Sequence, residues 1–177
     1  MRRLKLFIAT SIDGFIARKD GSLDWLDDIP NPDKLDYGYF KFYDSIDTLL
    51  MGRKTYNEVL GFGVEWPYPD SKTYVISSGP VDIKTENTFY IQKPLAETVK
   101  ALMTEPGKDI WVVGGGELIS SMLSLDLIDE MLITITPVIL GAGIPLFPSQ
   151  PKETKFDLIN TEAFDTGFVN LTYKKHV

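Results

Sequence analysis

Cysteine is absent from the 177 residues, and histidine occurs once, as His176 in the closing "YKKHV". The first absence removes disulfides, a thiol nucleophile and thiolate metal ligands. The second argues against a Ser-His-Asp triad and a histidine-rich zinc site, so no metal is expected. The H-x-E and P-C-x-x-C pair of a zinc deaminase is missing as well. Positive charge is in short supply: the net charge is −7. That balance argues against a nucleic-acid partner, and any anionic ligand must be held by a few local groups. No apolar run reaches the roughly 18 residues of a membrane span. The opening "MRRLKLFIATSIDGFIA" puts basic residues before an apolar run, as a signal peptide does. Asp13 interrupts that run, however, and no small-residue cleavage site follows. The segment reads as the first strand of a cytoplasmic protein.

What is present is an ordinary globular composition, 44% hydrophobic and 24% charged. With no repeat, low-complexity tract or linker, residues 1–177 read as one domain. Strand-like and helix-like segments alternate. Leu4–Ala9, "TLLMG", "KTYVISS", "TFYIQ", "DIWVV" and "EMLITITPVIL" read as strands. Between them, "NPDKLDYGYFKFYDSID" has Leu35, Tyr39, Phe42, Tyr43 and Ile46 at helical spacing behind Asn31, Pro32 and Asp33 as start signals. "KTYNEVL" reads as a helix closed by Gly61, and "ELISSMLSL" as another. "PLAETVKALMT" is a helix with a proline at its start and Leu95, Val99 and Leu102 on one stripe. At the end, "KFDLINTEAF" and "GFVNLTYKK" flank "DTG", a hairpin. Alternation of this kind predicts an α/β fold, with a mainly parallel sheet, helices on both faces and an antiparallel C-terminal hairpin at one edge.

Ligands of such sheets bind outside the carboxyl ends of the strands, where three segments bring suggestive residues: "MGRKT", "VISS" and "VVGGGE". Gly114, Gly115 and Gly116 join a strand to a helix, so bare backbone and helix N–H groups face a phosphate, unless the glycines serve only tight packing. The pattern is not G-x-G-x-x-G, since Ile119 stands where the last glycine would be, and no G-K-[ST] occurs. Arg53 follows a strand and opens a helix, where a guanidinium can grip a phosphate bidentately. Ser77 and Ser78 can donate hydroxyls to the same anion. An arginine with two serines favours NADPH over NADH through the extra 2′-phosphate. The alternatives are a solvated cation and turn residues. Asp36 lies near Phe40 and Tyr43 at helical spacing; apolar rings would raise its pKa toward a useful proton donor. Equally, with Asp33 as N-cap, it is the acidic third residue of a helix start. Asp13-Gly14 reads as a turn between two strand segments, and "LGAGIPLFP" as a loop that either closes over a ligand or merely turns the chain. Trp25 and Trp66 read as core or rim.

The series "IATSIDGFIA", "LLMGRKTY", "TYVISS", "WVVGGGEL" and "LITITPVILGAGIPLF" resembles the dihydrofolate-reductase-like superfamily. It is most similar to the branch holding the reductase domain of riboflavin biosynthesis and its stand-alone bacterial relatives. The resemblance implies a three-layer α/β/α sandwich with a mixed central sheet, an NADPH-dependent reductase, a small-molecule substrate and a homodimer. It implies that Arg53 and Ser77, with Ser78 beside them, hold the 2′-phosphate, and that Thr55 meets the pyrophosphate. Gly115 and Gly116 match the backbone that lies against the cofactor, with Gly114 completing the run; Gly52, Lys54, Val113 and Glu117 complete the two motifs. Ala9 and Ile16 match contacts to the nicotinamide end. Asp36 falls where folate reductases keep their active-site carboxylate, and Thr134 matches a threonine supporting the pterin site. One departure is specific: Ser71 stands where folate reductases carry the arginine that grips the glutamate tail. Its loss would cost dihydrofolate about 1.5–3 kcal/mol. The favoured substrate is therefore 5-amino-6-(5-phosphoribosylamino)uracil. A folate reductase and a nucleotide-binding protein without turnover are the alternatives, with a ligand-free homodimeric scaffold a weaker one. Arg18, Lys19, Lys34 and Lys41 are candidates for a substrate phosphate, though each also reads as solvated.

Overall fold

A computed structural model describes residues 1–92, 95–148 and 152–176. The strands are β1 (Leu4–Thr10), β2 (Phe15–Ala17), β3 (Ile46–Gly52), β4 (Lys72–Ile76), β5 (Thr88–Ile91), β6 (Asp109–Gly114), β7 (Glu130–Ile135), β8 (Ile144–Pro145), β9 (Phe156–Ala163) and β10 (Val169–Lys175). The helices are α1 (Asp24–Asp27), α2 (Tyr39–Tyr43), α3 (Arg53–Leu60), α4 (Leu95–Thr104) and α5 (Gly116–Ser124). Eight strands form one sheet in the order β5-β4-β3-β6-β1-β7-β10-β9. The pairs from β5 to β7 are parallel, and β10 and β9 close the far edge antiparallel. The mixed, mainly parallel sheet and its terminal hairpin are as the sequence implies.

Alternation along the central strands sends side chains to two different cores. Leu4, Leu6, Leu50, Ile110 and Val112 face α4 and α5, which return Val99, Leu102, Ile119 and Met122. Leu49, Met51 and Trp111 face α2 and α3, where the filling is aromatic: Phe42, Tyr56 and Tyr68, with Phe7 and Tyr39 packed against them. Phe7 and Phe42 have ring centroids 4.8 Å apart, and Trp111 meets Phe42 edge-on at 5.4 Å. The result is three layers, with α2 and α3 on one face of the sheet and α4 and α5 on the other. Trp25 is buried, and Trp66 joins the aromatic core between Tyr56 and Tyr68.

Charge gathers at the amino ends of the strands, away from the expected ligand edge. Arg2 pairs with Asp47, Lys5 meets Asp109 at 2.9 Å, and Arg3 meets Asp109 at 2.8 Å and Glu130 at 3.0 Å. These cations are committed to fixing the start of β1 to its neighbours β6 and β7 and, through Asp47, to β3.

The long helix expected over 31–47 is the main correction. Only Tyr39–Tyr43 is helical. Lys34, Tyr37 and Gly38 have φ of 50°, 52° and 84°, conformations that a right-handed helix cannot include. Asn31 does not start a helix. Its side chain closes a loop instead, donating to the Leu35 carbonyl at 2.8 Å and accepting from the Leu35 N–H at 2.9 Å. Gly61 caps α3 as expected. Leu95 opens α4, and Pro94, read as its starting proline, lies outside the described residues. Among the described residues, no helix is long and apolar enough to cross a membrane.

Candidate cofactor and substrate site

The sheet order places the expected residues along one edge. Ser77 and Ser78 follow β4, Arg53 follows β3, the three glycines follow β6, Ala9 is near the end of β1 and Thr134 near the end of β7. From β4 to β1 is three strand spacings, roughly 14 Å, the reach of a dinucleotide rather than a mononucleotide.

At the β4–β3 end, a Cβ built on Gly79 would lie 3.9 Å from Arg53 Nη1, so the guanidinium stands beside the turn at 77–79. The Ser77 hydroxyl accepts from the Gly79 N–H at 3.2 Å, keeping its own proton for a ligand. Ser78 is exposed, and its carbonyl accepts from Gln92 at 3.3 Å. Arg53 and Lys54 open α3 and are exposed.

In the middle, Gly52 and Gly115 are the N-cap positions of α3 and α5, and neither helix has a side-chain cap. In α5 the Leu118 N–H is taken by the Gly115 carbonyl at 3.0 Å, and no side chain caps the N–H groups of the residues before it. A Cβ on Gly52 would lie 3.9 Å from the Gly114 carbonyl and the Gly115 nitrogen, and one on Gly115 would lie 3.5 Å from Thr55 Oγ1. The two helix starts and Thr55 therefore converge. Gly114 has φ 142° with open space beyond it, and its peptide bond to Gly115 is cis. Gly116 differs: its missing Cβ would lie 2.8 Å from the Pro145 carbonyl and from Pro148 Cδ, so its bareness serves packing. Glu117 is exposed in the first turn of α5, and the Val113 side chain packs into the aromatic core, leaving only its backbone for a ligand.

At the far end lies a cavity of about 210 Å3. Phe7, Ala9, Leu26, Tyr37 and Phe168 form its walls, and Asp36 and Thr134 supply its polar lining. The structure thus brings Asp36, Ala9 and Thr134 together. Tyr37 stacks on Phe168 at 4.2 Å with 9° between the planes, giving a flat wall. Ile16, by contrast, packs against the aliphatic core.

Two details correct the sequence reading. Asp36 is not the third residue of a helix, and the cavity's rings do not raise its pKa. It is exposed and accepts the N–H groups of Phe40 at 2.9 Å and Gly38 at 3.1 Å. These bonds, that of Phe40 first, hold its pKa below the ordinary 3.8, opposite to the expected rise. Thr134 is buried, and its hydroxyl donates to Asn170 Oδ1 at 2.7 Å; Asn170 Nδ2 in turn donates to the Tyr37 carbonyl at 2.8 Å. Asn170, on β10, thereby ties the segment carrying Asp36 to β7. No local pattern marks this residue, because its two partners lie more than 35 positions away.

The glycine-rich loop after β7 is fastened to the turn after β1. Asp13 accepts from Ser11 Oγ at 2.6 Å and from the N–H groups of Gly141 and Leu140 at 2.7 and 3.1 Å. With the β2–β8 pairing, this fastens the turn after β1 to the loop. The Ser11 bond is the largest cause of a lowered Asp13 pKa. A depressed folded pKa means that the fastening is complete above the ordinary 3.8 and fades as pH falls below it. Asp13→Ala should raise amide hydrogen exchange at Leu140 and Gly141 by roughly tenfold; unchanged exchange would mean that the β2–β8 pairing alone holds the loop.

The chain matches the RibD C-terminal domain family over residues 2–170. It is 40% identical to the uncharacterized protein YwjB of Bacillus subtilis (strain 168) over 163 residues, covering 92% of each chain. A solved structure from Shewanella sp. PV-4, described as a riboflavin biosynthesis protein, superposes with TM-score 0.91 at 34% identity over 99% of both chains. Dihydrofolate reductase from Enterococcus faecalis, solved with NADP(H) and RAB-propyl, superposes with TM-score 0.66 at 19% identity, covering 99% of this chain and 97% of that one, a likeness of fold. The eight-stranded mixed sheet is thus a dihydrofolate-reductase-like sheet, and the chain belongs to the RibD C-terminal domain family.

Proposed function

We propose that the protein is an NADPH-dependent reductase that transfers hydride to the carbon of a C=N or C=O group. One observation carries the reading: Ser77, Arg53 and the two uncapped helix starts lie in line with the aromatic-walled cavity along a single sheet edge, about a dinucleotide's length apart. NADPH fits the residues present. Arg53 and Ser77 offer a cation and a free hydroxyl proton to the 2′-phosphate. Two uncapped helix starts and Thr55 offer donors to the pyrophosphate, and a methyl at Gly115 would intrude between them.

When bound, NADPH supplies the hydride. The chain's own part is orientation and electrostatics. Phe7, Tyr37 and Phe168 hold a ring against the end of β1. Asp36, ionised at neutral pH, accepts a hydrogen bond from the substrate rather than donating a proton, so the proton that completes the reduction comes from solvent. The pyrimidine ring of 5-amino-6-(5-phosphoribosylamino)uracil suits such a slot. A folate reductase is the weaker reading: Ser71 is buried and donates to Tyr43 Oη at 3.1 Å, within the aromatic core.

Consumption of NADPH, followed by nicotinamide absorbance against a panel of cyclic imines, carbonyls and aminopyrimidines, tests the proposal. Turnover should be level across neutral pH, falling only as acid protonates Asp36 below the ordinary carboxylate value. Asp36→Asn should lower kcat/KM by roughly 10–100-fold. Binding of NADPH with no consumption by any member of the panel would favour a nucleotide-binding protein without turnover.

A further inference from the structure

We infer that Asn170 is a positioning residue for the proposed site: its side-chain amide fixes the Tyr37–Gly38 peptide, and that peptide holds the Asp36 carboxylate at the cavity. The consequence for turnover rests on the reductase reading, whereas the linkage itself belongs to the free protein.

Asn170 on β10 and Thr134, opposite it on β7, are each 3% exposed. Their partners fix the direction of every proton. The Tyr37 carbonyl can only accept, so Asn170 Nδ2 faces it, at 2.8 Å. Oδ1 then faces Thr134, whose hydroxyl donates to it at 2.7 Å.

The next step is covalent. The Tyr37 carbonyl and the Gly38 N–H belong to one planar peptide and point in opposite directions. With the carbonyl turned to Asn170, the N–H is turned to Asp36 Oδ1, at 3.1 Å. The Phe40 N–H bonds Oδ2 at 2.9 Å, so both carboxylate oxygens are held. Such a turn needs outside support. Tyr37 and Gly38 have φ of 52° and 84°, and the left-handed region is unfavourable for a residue as large as tyrosine. The hairpin of β9 and β10 supplies it. Phe168 stacks on the Tyr37 ring, Phe164 meets that ring edge-on at 5.0 Å, and Thr166 accepts the hydroxyl proton. These contacts fix the ring, while Asn170 holds the carbonyl whose peptide orients Asp36. The Phe40 and Gly38 N–H groups lower the Asp36 pKa with no cation taking part. Lys34 and Lys41, the lysines nearest along the chain, form no ion pair with it among the described residues.

Two variants test the linkage in the free protein: Asn170→Ser removes the amide, and Thr134→Val removes the hydroxyl that orients it. Carbon-13 NMR follows the Asp36 carboxyl through an acid titration, and amide hydrogen exchange is read at neutral pH. In Asn170→Ser the carboxyl should titrate nearer the ordinary 3.8. The Gly38 amide should exchange roughly tenfold faster, while β7 and β10 amides away from the substitution keep their native rates. Thr134→Val should move both readouts the same way by less, and it decides the matter if Asn170→Ser does not fold. Native titration and native Gly38 exchange in both variants overturn the inference. So does exchange raised evenly along β7 and β10, which assigns Asn170 to sheet stability alone. Where the native protein consumes NADPH with 5-amino-6-(5-phosphoribosylamino)uracil, Asn170→Ser should lower kcat/KM roughly tenfold, and no further in an Asp36→Asn background. Equal losses in both backgrounds overturn the inference. No consumption by the native protein counts against that substrate, and the NMR result still decides the linkage.

Discussion

Two neighbouring glycines should respond to alanine in opposite ways. Gly116→Ala should destabilise the fold, whereas Gly115→Ala should leave stability nearly intact and impair nucleotide binding. At Gly116 the added methyl would lie 2.8 Å from the Pro145 carbonyl and Pro148 Cδ, closer than real Cβ atoms come. The loop or α5 must then shift, at about 1–3 kcal/mol, or roughly 2–12 °C in melting temperature for a chain of this size. At Gly115 the backbone is extended, with φ −77°, and the methyl would make an ordinary 3.5 Å contact with Thr55 Oγ1. Nothing in the free protein resists it. Between the starts of α3 and α5, however, it fills the proposed approach of the pyrophosphate, and NADPH affinity should fall by roughly tenfold or more. Thermal melts with and without NADPH separate the two effects. Equal stability of both variants would refute the packing role of Gly116, and full NADPH affinity in Gly115→Ala would move the cofactor elsewhere.

Arg53→Ala should weaken NADPH by about 10–100-fold, the value of a charge-assisted phosphate contact, and leave NADH nearly unchanged. The discrimination follows from position. Arg53 is exposed beside the turn at 77–79, at the end of the site farthest from the cavity, so it can meet the 2′-phosphate without touching the reacting ring. Because its side chain is outside both cores, the melting temperature of the free protein should not change. Competition by NADP+ and NAD+ against bound NADPH reads the selectivity directly. Equal losses for both nucleotides would assign Arg53 to the pyrophosphate instead.

The sheet was legible because its central strands are buried on both faces and read as short apolar runs between turn residues. The gathering of the bare glycines, the helix-starting arginine and the strand-end serines along one sheet edge was legible because each has a local reason to occur at a strand end. The stretch from Asn31 to Tyr43 was not. Its aromatic residues repeat at helical spacing, yet Tyr39 and Phe42 pack from a five-residue helix, and positive φ at Lys34, Tyr37 and Gly38 breaks what precedes it. Asp36 was misread for the same reason. In a continuous helix its carboxyl would lie among rings, whereas in the observed turn it meets two N–H groups and stays ionised. Asn170 was invisible because its importance lies wholly in long-range partners, Thr134 and Tyr37. Asp13 was read as a turn residue and is one, but its bonds to Leu140 and Gly141 appear only once the chain has folded.

The central claim is that the edge running from Ser77 to Thr134 holds NADPH. Equilibrium titration of the unmodified protein with NADPH and with NADH, read by enhancement of nicotinamide fluorescence, tests it most directly. The account expects saturable one-to-one binding of NADPH, at least about tenfold tighter than NADH. Absence of binding by either nucleotide would contradict the account.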